Sequence, residues 1–276
     1  MSQHRRSARV LLLLLIVTAA ACARARVSGE RAGEETPMHL FLLAGQSNMA
    51  GRGVVEAEDR VANPRVLALD RAGQWVPAVD PIHFDKPIAG VGPGRSFGLA
   101  IAQANPGVRI GLIPAAVGGS PISSWEPGAL YAETGTHPYD DAIARARLAM
   151  RDGQLKAILW HQGESDANAQ AAPEYARKLS ALVQRFRSDL GDPNLPVLVG
   201  QLGQFEGKPW DAPHQQVDAA HRELPSRLAN VGFVPAAGLA HKGDTLHFSA
   251  AAARTLGRRY AEEYLRITRP RAGPGS

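Results

Sequence analysis

Leu42-Leu43-Ala44-Gly45-Gln46-Ser47-Asn48-Met49-Ala50-Gly51 is an apolar run that stops on a glycine and delivers a serine into a polar turn. An apolar run of this length, bounded by Gly, has the signature of a buried strand. A serine just past such a strand can present its hydroxyl above a sheet, with neighbouring backbone N–H groups turned toward a developing oxyanion. It can equally cap a short helix, a common fate of Ser after a strand. The pattern departs from the G-x-S-x-G elbow of α/β-hydrolases, because Met49 stands at the last position.

Outward from this segment the same alternation repeats. Short apolar runs at 39–44, 108–114, 157–160, 196–201 and 230–235 are separated by stretches of helical period. From 173 to 190, Tyr175, Leu179, Leu182, Val183 and Phe186 recur at spacings of three and four, which gives one apolar face. Helices are also expected at 140–152 and at 249–266, the latter capped by Ser249, and 91–105 opens as a Gly-rich loop that turns helical after Ser96. Strands alternating with helices predict an α/β fold: a three-layer α/β/α sandwich on a mainly parallel sheet, with ligands outside the carboxyl ends of the strands.

The chain has 276 residues, and its start reads as an export signal: Arg5, Arg6 and Arg9 precede the apolar run 10–17 and the small residues 18–21. Cys22 is the single cysteine and follows Ala19-Ala20-Ala21. Its position resembles the lipobox of bacterial lipoproteins, which implies residues 1–21 as a signal peptide, lipidation at Cys22 and a membrane partner through that anchor. Ordinary signal cleavage beside an incidental cysteine is the alternative. Residues 22–36 suit a tether, 37–267 a single domain with its own core, and 268–276 a disordered tail. One cysteine excludes an intrachain disulfide. The net charge of +5 is misleading, since residues 1–35 carry six Arg against three Glu and 266–276 carry three Arg and no acid. The 22 basic and 23 acidic residues left in 36–265 give no excess for a nucleic-acid face. Oligomeric state has no signature in the sequence.

Three further polar clusters follow strand candidates. Gly118-Gly119-Ser120 leaves the second strand; glycines there could open an oxyanion hole or only make a tight turn, and nearby Trp125 could wall a sugar or fill the core. His161-Gln162-Gly163-Glu164-Ser165-Asp166 follows the third, where buried polar groups must bond one another or a ligand. His161 and Glu164 alone are too few for a zinc site, and no His-Glu-x-x-His pattern occurs, so no metal is expected. Asp244-Thr245-Leu246-His247 places an acid three residues before a histidine, so the acid could orient one ring nitrogen while the other faces the serine.

Taken in order, Gly45-Gln46-Ser47-Asn48-Met49, Gly118-Gly119-Ser120, Trp160-His161-Gln162-Gly163-Glu164 and Asp244-x-x-His247 resemble the sialate O-acetylesterase-like domain. This branch of the SGNH hydrolases includes the family-six carbohydrate acetyl esterases. The resemblance spans about residues 38–265 and takes in Pro81-Ile82-His83-Phe84-Asp85 and Gly92-Pro93-Gly94-Arg95-Ser96-Phe97. It implies a flavodoxin-like SGNH-hydrolase fold, no cofactor, and removal of O-acetyl groups from carbohydrate, either polysaccharide such as acetylxylan or sialic acid. Ser47 would be the nucleophile and His247 the base, with Ser47 N, Gly119 N and the Gln162 side chain holding the oxyanion. Asp244, at the usual spacing before the histidine, or Glu164 would be the acid; both could contact His247 or its surroundings, and Glu164 could instead only anchor the active-site loop. Gln46, Asn48, Trp125 and His161 become candidates for substrate contact. Competing readings are a lipase or thioesterase for longer acyl chains, which needs a broad apolar groove, and a glycan-binding protein without turnover.

Overall fold

The computed structural model describes residues 38–269; the proposed leader, Cys22, the tether and the chain beyond 269 lie outside them. Seven strands form one sheet in the order β3-β2-β4-β1-β5-β6-β7. They are β1 (Met38–Gly45), β2 (Val66–Leu69), β3 (Trp75–Pro77), β4 (Ile110–Pro114), β5 (Gly153–His161), β6 (Val197–Gly200) and β7 (Val231–Val234). Only β3 runs antiparallel, at the edge beside β2. The α/β fold with a mainly parallel sheet follows from burial on both faces, the condition under which parallel strands read as continuous apolar runs. Along β1, Leu40, Leu42 and Ala44 face one core and Phe41 and Leu43 the other.

The first core packs against α3 (Pro138–Ala149), α4 (Ala172–Asp189) and α5 (Ala212–Arg227), the second against α2 (Pro93–Ala104) and α6 (Ala250–Thr268). The apolar face expected of α4 is buried residue for residue, and each such side chain contributes about 2 kcal/mol by leaving water. The expected cap of α6 is also present: the Ser249 hydroxyl accepts from Ala252 N and starts the helix. Several boundaries differ from expectation. Helix α2 begins at Pro93 rather than after Ser96, because proline at a first-turn position has a helical φ and lacks only an N–H that would be orphaned there. Strand β5 starts four residues early, α3 is displaced toward Pro138, and α6 continues through Thr268 into the expected tail. Strands β2 and β3 and helix α5 were not anticipated.

The chain leaves β1 toward β2 and β4 on one side and later returns to β5 on the other, so the central strand lies between β4 and β5. In register, Leu43 stands between Pro114 of β4 and Leu159 of β5, and Gly45 opposes His161. The loops leaving these three strands therefore meet at a reversal of strand order, where open α/β sheets bind ligands.

Candidate active site

Helix α1 (Ser47–Ala50) is a single turn set directly on the end of β1. Gly45 makes the transition possible: its φ is +127°, and a Cβ there would lie 2.1 Å from His161 O. Gln46 N then donates to that same carbonyl at 2.8 Å, pinning the turn to β5. Ser47 Oγ lies 3.0 Å from His247 Nε2, and His247 Nδ1 lies 2.7 Å from Asp244 Oδ2. A carboxylate only accepts, so Nδ1 carries the proton and Nε2 keeps its lone pair for the serine hydroxyl. Asp244 Oδ1 also accepts from Leu246 N at 3.0 Å and His247 N at 2.8 Å. Burial works against its charge, but the backbone and ring donors of His247 and the Leu246 N–H outweigh it and hold the carboxyl well below the usual range.

An open cleft of about 620 Å³ lies over these groups, lined by Gln46, Ser47, Gly118, Gly119, Glu164 and His247 among others. Gly119 adopts φ +87°. Among the described residues, neither Ser47 N nor Gly119 N has a protein acceptor. Gly118 N is already committed, donating at 2.8 Å to Asp85 Oδ2, which also takes Arg52 Nη2 at 2.7 Å in a buried ion pair. That pair holds the Gly118-Gly119 turn against the serine turn.

The comparisons with known proteins agree on the family. The family model described as "Carbohydrate esterase, sialic acid-specific acetylesterase" matches residues 37–266. The chain belongs to this family of carbohydrate esterases. A probable carbohydrate esterase of Arabidopsis thaliana is 33% identical over 253 residues, covering 83% of this chain and 91% of that protein. A solved Arabidopsis thaliana structure at 32% identity superposes with a TM-score of 0.73, covering 83% of this chain and 98% of that one. NanS, at 19% identity and a TM-score of 0.68, covers 84% of this chain and 98% of its own, and shares the fold. So does a carbohydrate acetylesterase of Xanthomonas citri, at 21% identity and 0.64, covering 83% of this chain and 56% of its own. The protein is a carboxylic ester hydrolase.

Several candidate residues of the esterase stand elsewhere than the sequence suggested. Gln162 is fully buried, so its side chain does not reach the cleft. Its Nε2 is engaged by Asp166 Oδ2 at 2.5 Å, Gln46 Oε1 at 3.1 Å and Ser120 O at 3.2 Å, while Tyr175 OH donates to its Oε1. Gln46 Oε1 in turn takes Gly163 N and Ser165 N, which fixes its amide with the oxygen toward the β5 loop and leaves Nε2 for the cleft. Trp125 has no exposed surface; it meets Trp160 edge-on at 4.9 Å and belongs to the core rather than to a sugar wall. His161 is also fully buried, its Nδ1 3.3 Å from Tyr260 OH, so it cannot touch substrate.

Asn48 is buried and works between loops. Its Nδ2 donates to Glu164 Oε1 at 2.6 Å and to Leu246 O at 3.1 Å, and its Oδ1 accepts from Phe248 N at 3.1 Å. The residue after Ser47 thus grips the backbone on both sides of His247, and Glu164 grips that residue. Glu164 makes no hydrogen bond to His247 and lies 3.8 Å from His161 Nε2. Burial pushes its carboxyl up, against the Asn48 donor. The Arg52–Asp85 pair and the interlocked Gln46 and Gln162 amides were missed, because their partners are far apart in sequence.

Proposed function

We propose that the protein is a serine esterase that removes O-acetyl groups from carbohydrate through an acetyl-serine intermediate. The observation that carries this is the unbroken chain Asp244 Oδ2, His247 Nδ1, His247 Nε2, Ser47 Oγ at 2.7 and 3.0 Å, opening onto a cleft beside unengaged backbone donors. Ser47 Oγ attacks the acetyl carbonyl as His247 Nε2 takes its proton, and Ser47 N and Gly119 N receive the oxyanion, with the Gln46 amide as a further donor. Collapse breaks the ester bond, and the imidazolium returns the proton to the departing sugar hydroxyl. Water then repeats the sequence on the acetyl-serine and releases acetate, while Asp244 stabilises the imidazolium in both halves.

The apolar members of the cleft are Ile88 and Leu246 at its rim, among mainly polar and charged neighbours. That lining favours a short acyl group on a hydroxyl-rich carrier over a long acyl chain. Replacing Ser47 by Ala is expected to lower acetate release from acetylated glycans and p-nitrophenyl acetate by about 10⁴-fold or more, with an unchanged melting temperature. Activity near wild type in that variant would overturn the nucleophile assignment.

A further inference from the structure

Gly119, the proposed oxyanion donor beside Ser47, lies against a cluster of side chains that the Ser47–His247–Asp244 chain does not use. A Cβ on Gly119 would stand 2.7 Å from Tyr131 OH, 3.5 Å from Glu133 Oε2 and 3.7 Å from Lys86 Nζ. Two loops deliver these groups. Asp85 fixes the first, because it accepts from Gly118 N while paired with Arg52, and the following residue, Lys86, lines the catalytic cleft. A tight hairpin supplies the others: Tyr131 N donates to Thr136 O at 2.8 Å and Gly135 N to Tyr131 O at 2.9 Å, with Glu133 near the tip.

The cluster presents a matched donor and acceptor. Lys86 Nζ donates to Glu133 Oε2 at 3.0 Å, joining the two loops, and the ammonium holds the Glu133 carboxyl below its usual range. Each partner fills one site on the other and keeps further N–H groups or lone pairs for a ligand. Tyr131 is buried, and its OH has no hydrogen-bond partner of sound geometry; burial and then the neighbouring Glu133 carboxylate push the phenol up, so it stays an O–H donor. A hydroxyl suits this set, since it can accept from Lys86 and donate to Glu133 at once, whereas an ester oxygen in the same place accepts but cannot donate. Beyond its carbonyl an acetyl group has only a methyl. A polar group reaching this cluster from an ester held at Gly119 N therefore belongs to the sugar.

We propose that Lys86 and Glu133, backed by Tyr131, bind a free hydroxyl on the sugar carbon next to the acetylated one, so that the esterase prefers singly acetylated units to units whose neighbouring hydroxyl is acetylated or missing. This rests on the carbohydrate acetylesterase reading and adds to it which acetyl groups are taken. The test measures kcat/KM for a singly O-acetylated methyl xyloside and for O-acetylated sialic acid, each with the neighbouring hydroxyl present or removed as the deoxy sugar. Wild type should favour the hydroxyl in at least one pair by about tenfold, the scale of one hydrogen bond to a charged group. Glu133→Ala and Lys86→Met should each bring that ratio close to one, the coupling expected of groups in direct contact. A role only in holding the two loops together would slow both sugars equally and leave the ratio unchanged. Equal rates on hydroxyl and deoxy sugars in wild type, or a ratio that either substitution leaves intact, would overturn the proposal. Cleavage of p-nitrophenyl acetate with no acetate from any of these sugars would instead remove the carbohydrate reading, and the proposal with it.

Discussion

Two histidine–acid pairs at the same spacing of three flank the serine turn, and they have been given opposite chemistry. Asp244 and His247 sit on a loop with side chains 36% and 16% exposed and meet at 2.7 Å; His161 and Glu164 have side chains 0% and 10% exposed and stay 3.8 Å apart. The backbone and ring donors of His247 and the Leu246 N–H keep Asp244 ionised against its burial, whereas burial pushes the Glu164 carboxyl up and the His161 imidazole down to about 3. The exposed pair can therefore hold a proton in transit. The buried pair serves as scaffold, with His161 neutral and Glu164 accepting from Asn48, fixing Asn48 and the end of β5. Residue type and spacing are identical in kind; desolvation separates the roles.

The largest test of that contrast exchanges each acid for its amide. Asp244→Asn removes the acceptor that fixes the His247 tautomer and stabilises its cation, a loss worth about 10⁴-fold in the serine-protease triad, so kcat should fall by about 10³- to 10⁴-fold. Glu164→Gln keeps an oxygen for Asn48 and matches the neutral form that burial favours. Its kcat should stay within about tenfold of wild type, the scale of a single lost hydrogen bond. Steady-state kinetics with a melting curve for each variant decides the matter. A larger kcat loss for Glu164→Gln at unchanged stability would make Glu164 the triad acid.

Much of this was legible in the sequence where local pattern and tertiary packing agree. The apolar run into Gly45, the periodic face of α4 and the Ser249 cap are local features, and each became the expected element. Helix α5 was hidden because it carries Pro213 and Pro225 and buries Asp218 and His221 along with Val217 and Leu224, which blurs its apolar face. The edge strand β3 and its neighbour β2 are only three and four residues long and are hemmed in by charged and turn residues, Arg65 and Asp70 around β2 and Gly73-Gln74 before β3. At the site, Ser47, His247 and Asp244 were singled out by residue type and spacing, and the fold brings the three within hydrogen-bonding reach. Gln162 could not be placed, since an amide reads as an oxyanion donor whether it faces a cleft or a buried carboxylate such as Asp166.

The same contrast should divide stability from catalysis as a function of pH. Burial lowers His161 and His221 to about 3, the latter helped by His161, and lowers His83 to about 4. Each binds its proton more weakly folded than unfolded, so its contribution is present above about pH 6.5 and is lost as pH falls below it, at about 1.4 kcal/mol per pH unit. Asp80 acts in the opposite sense, because burial and then Asp59 raise it to about 7, and it returns a similar amount as pH falls from 7. Between pH 6.5 and 5.5 the three imidazoles should each lose about 1 kcal/mol and Asp80 return about 1, a net loss of about 2 kcal/mol readable from urea midpoints. Asp80→Asn should steepen the loss. Asp244→Asn should leave it alone, since that carboxyl titrates below this window. A flat midpoint from pH 7 to 5.5 would mean that the buried imidazoles do not stay neutral.

The smallest expected effect belongs to the residue that joins the two pairs. Asn48 hangs from the buried pair through Glu164 Oε1 and grips the exposed one through Leu246 O and Phe248 N, so it sets where His247 stands relative to Ser47. Strand β1 and the Asx-like turn of Asp244 support the proposed nucleophile and base independently, which limits what one lost clamp can do. Asn48→Ala should lower kcat by about tenfold, the equivalent of a single hydrogen bond's worth of misorientation in the transition state, and leave KM near wild type. It should also lower the melting temperature, because Glu164 Oε1 is left buried without a donor. If KM rises sharply while kcat holds, Asn48 contacts substrate and the clamp is not its function. If kcat and KM both hold while stability falls, the two loops keep their register without it, and the buried pair is scaffold for the fold alone rather than for the position of His247.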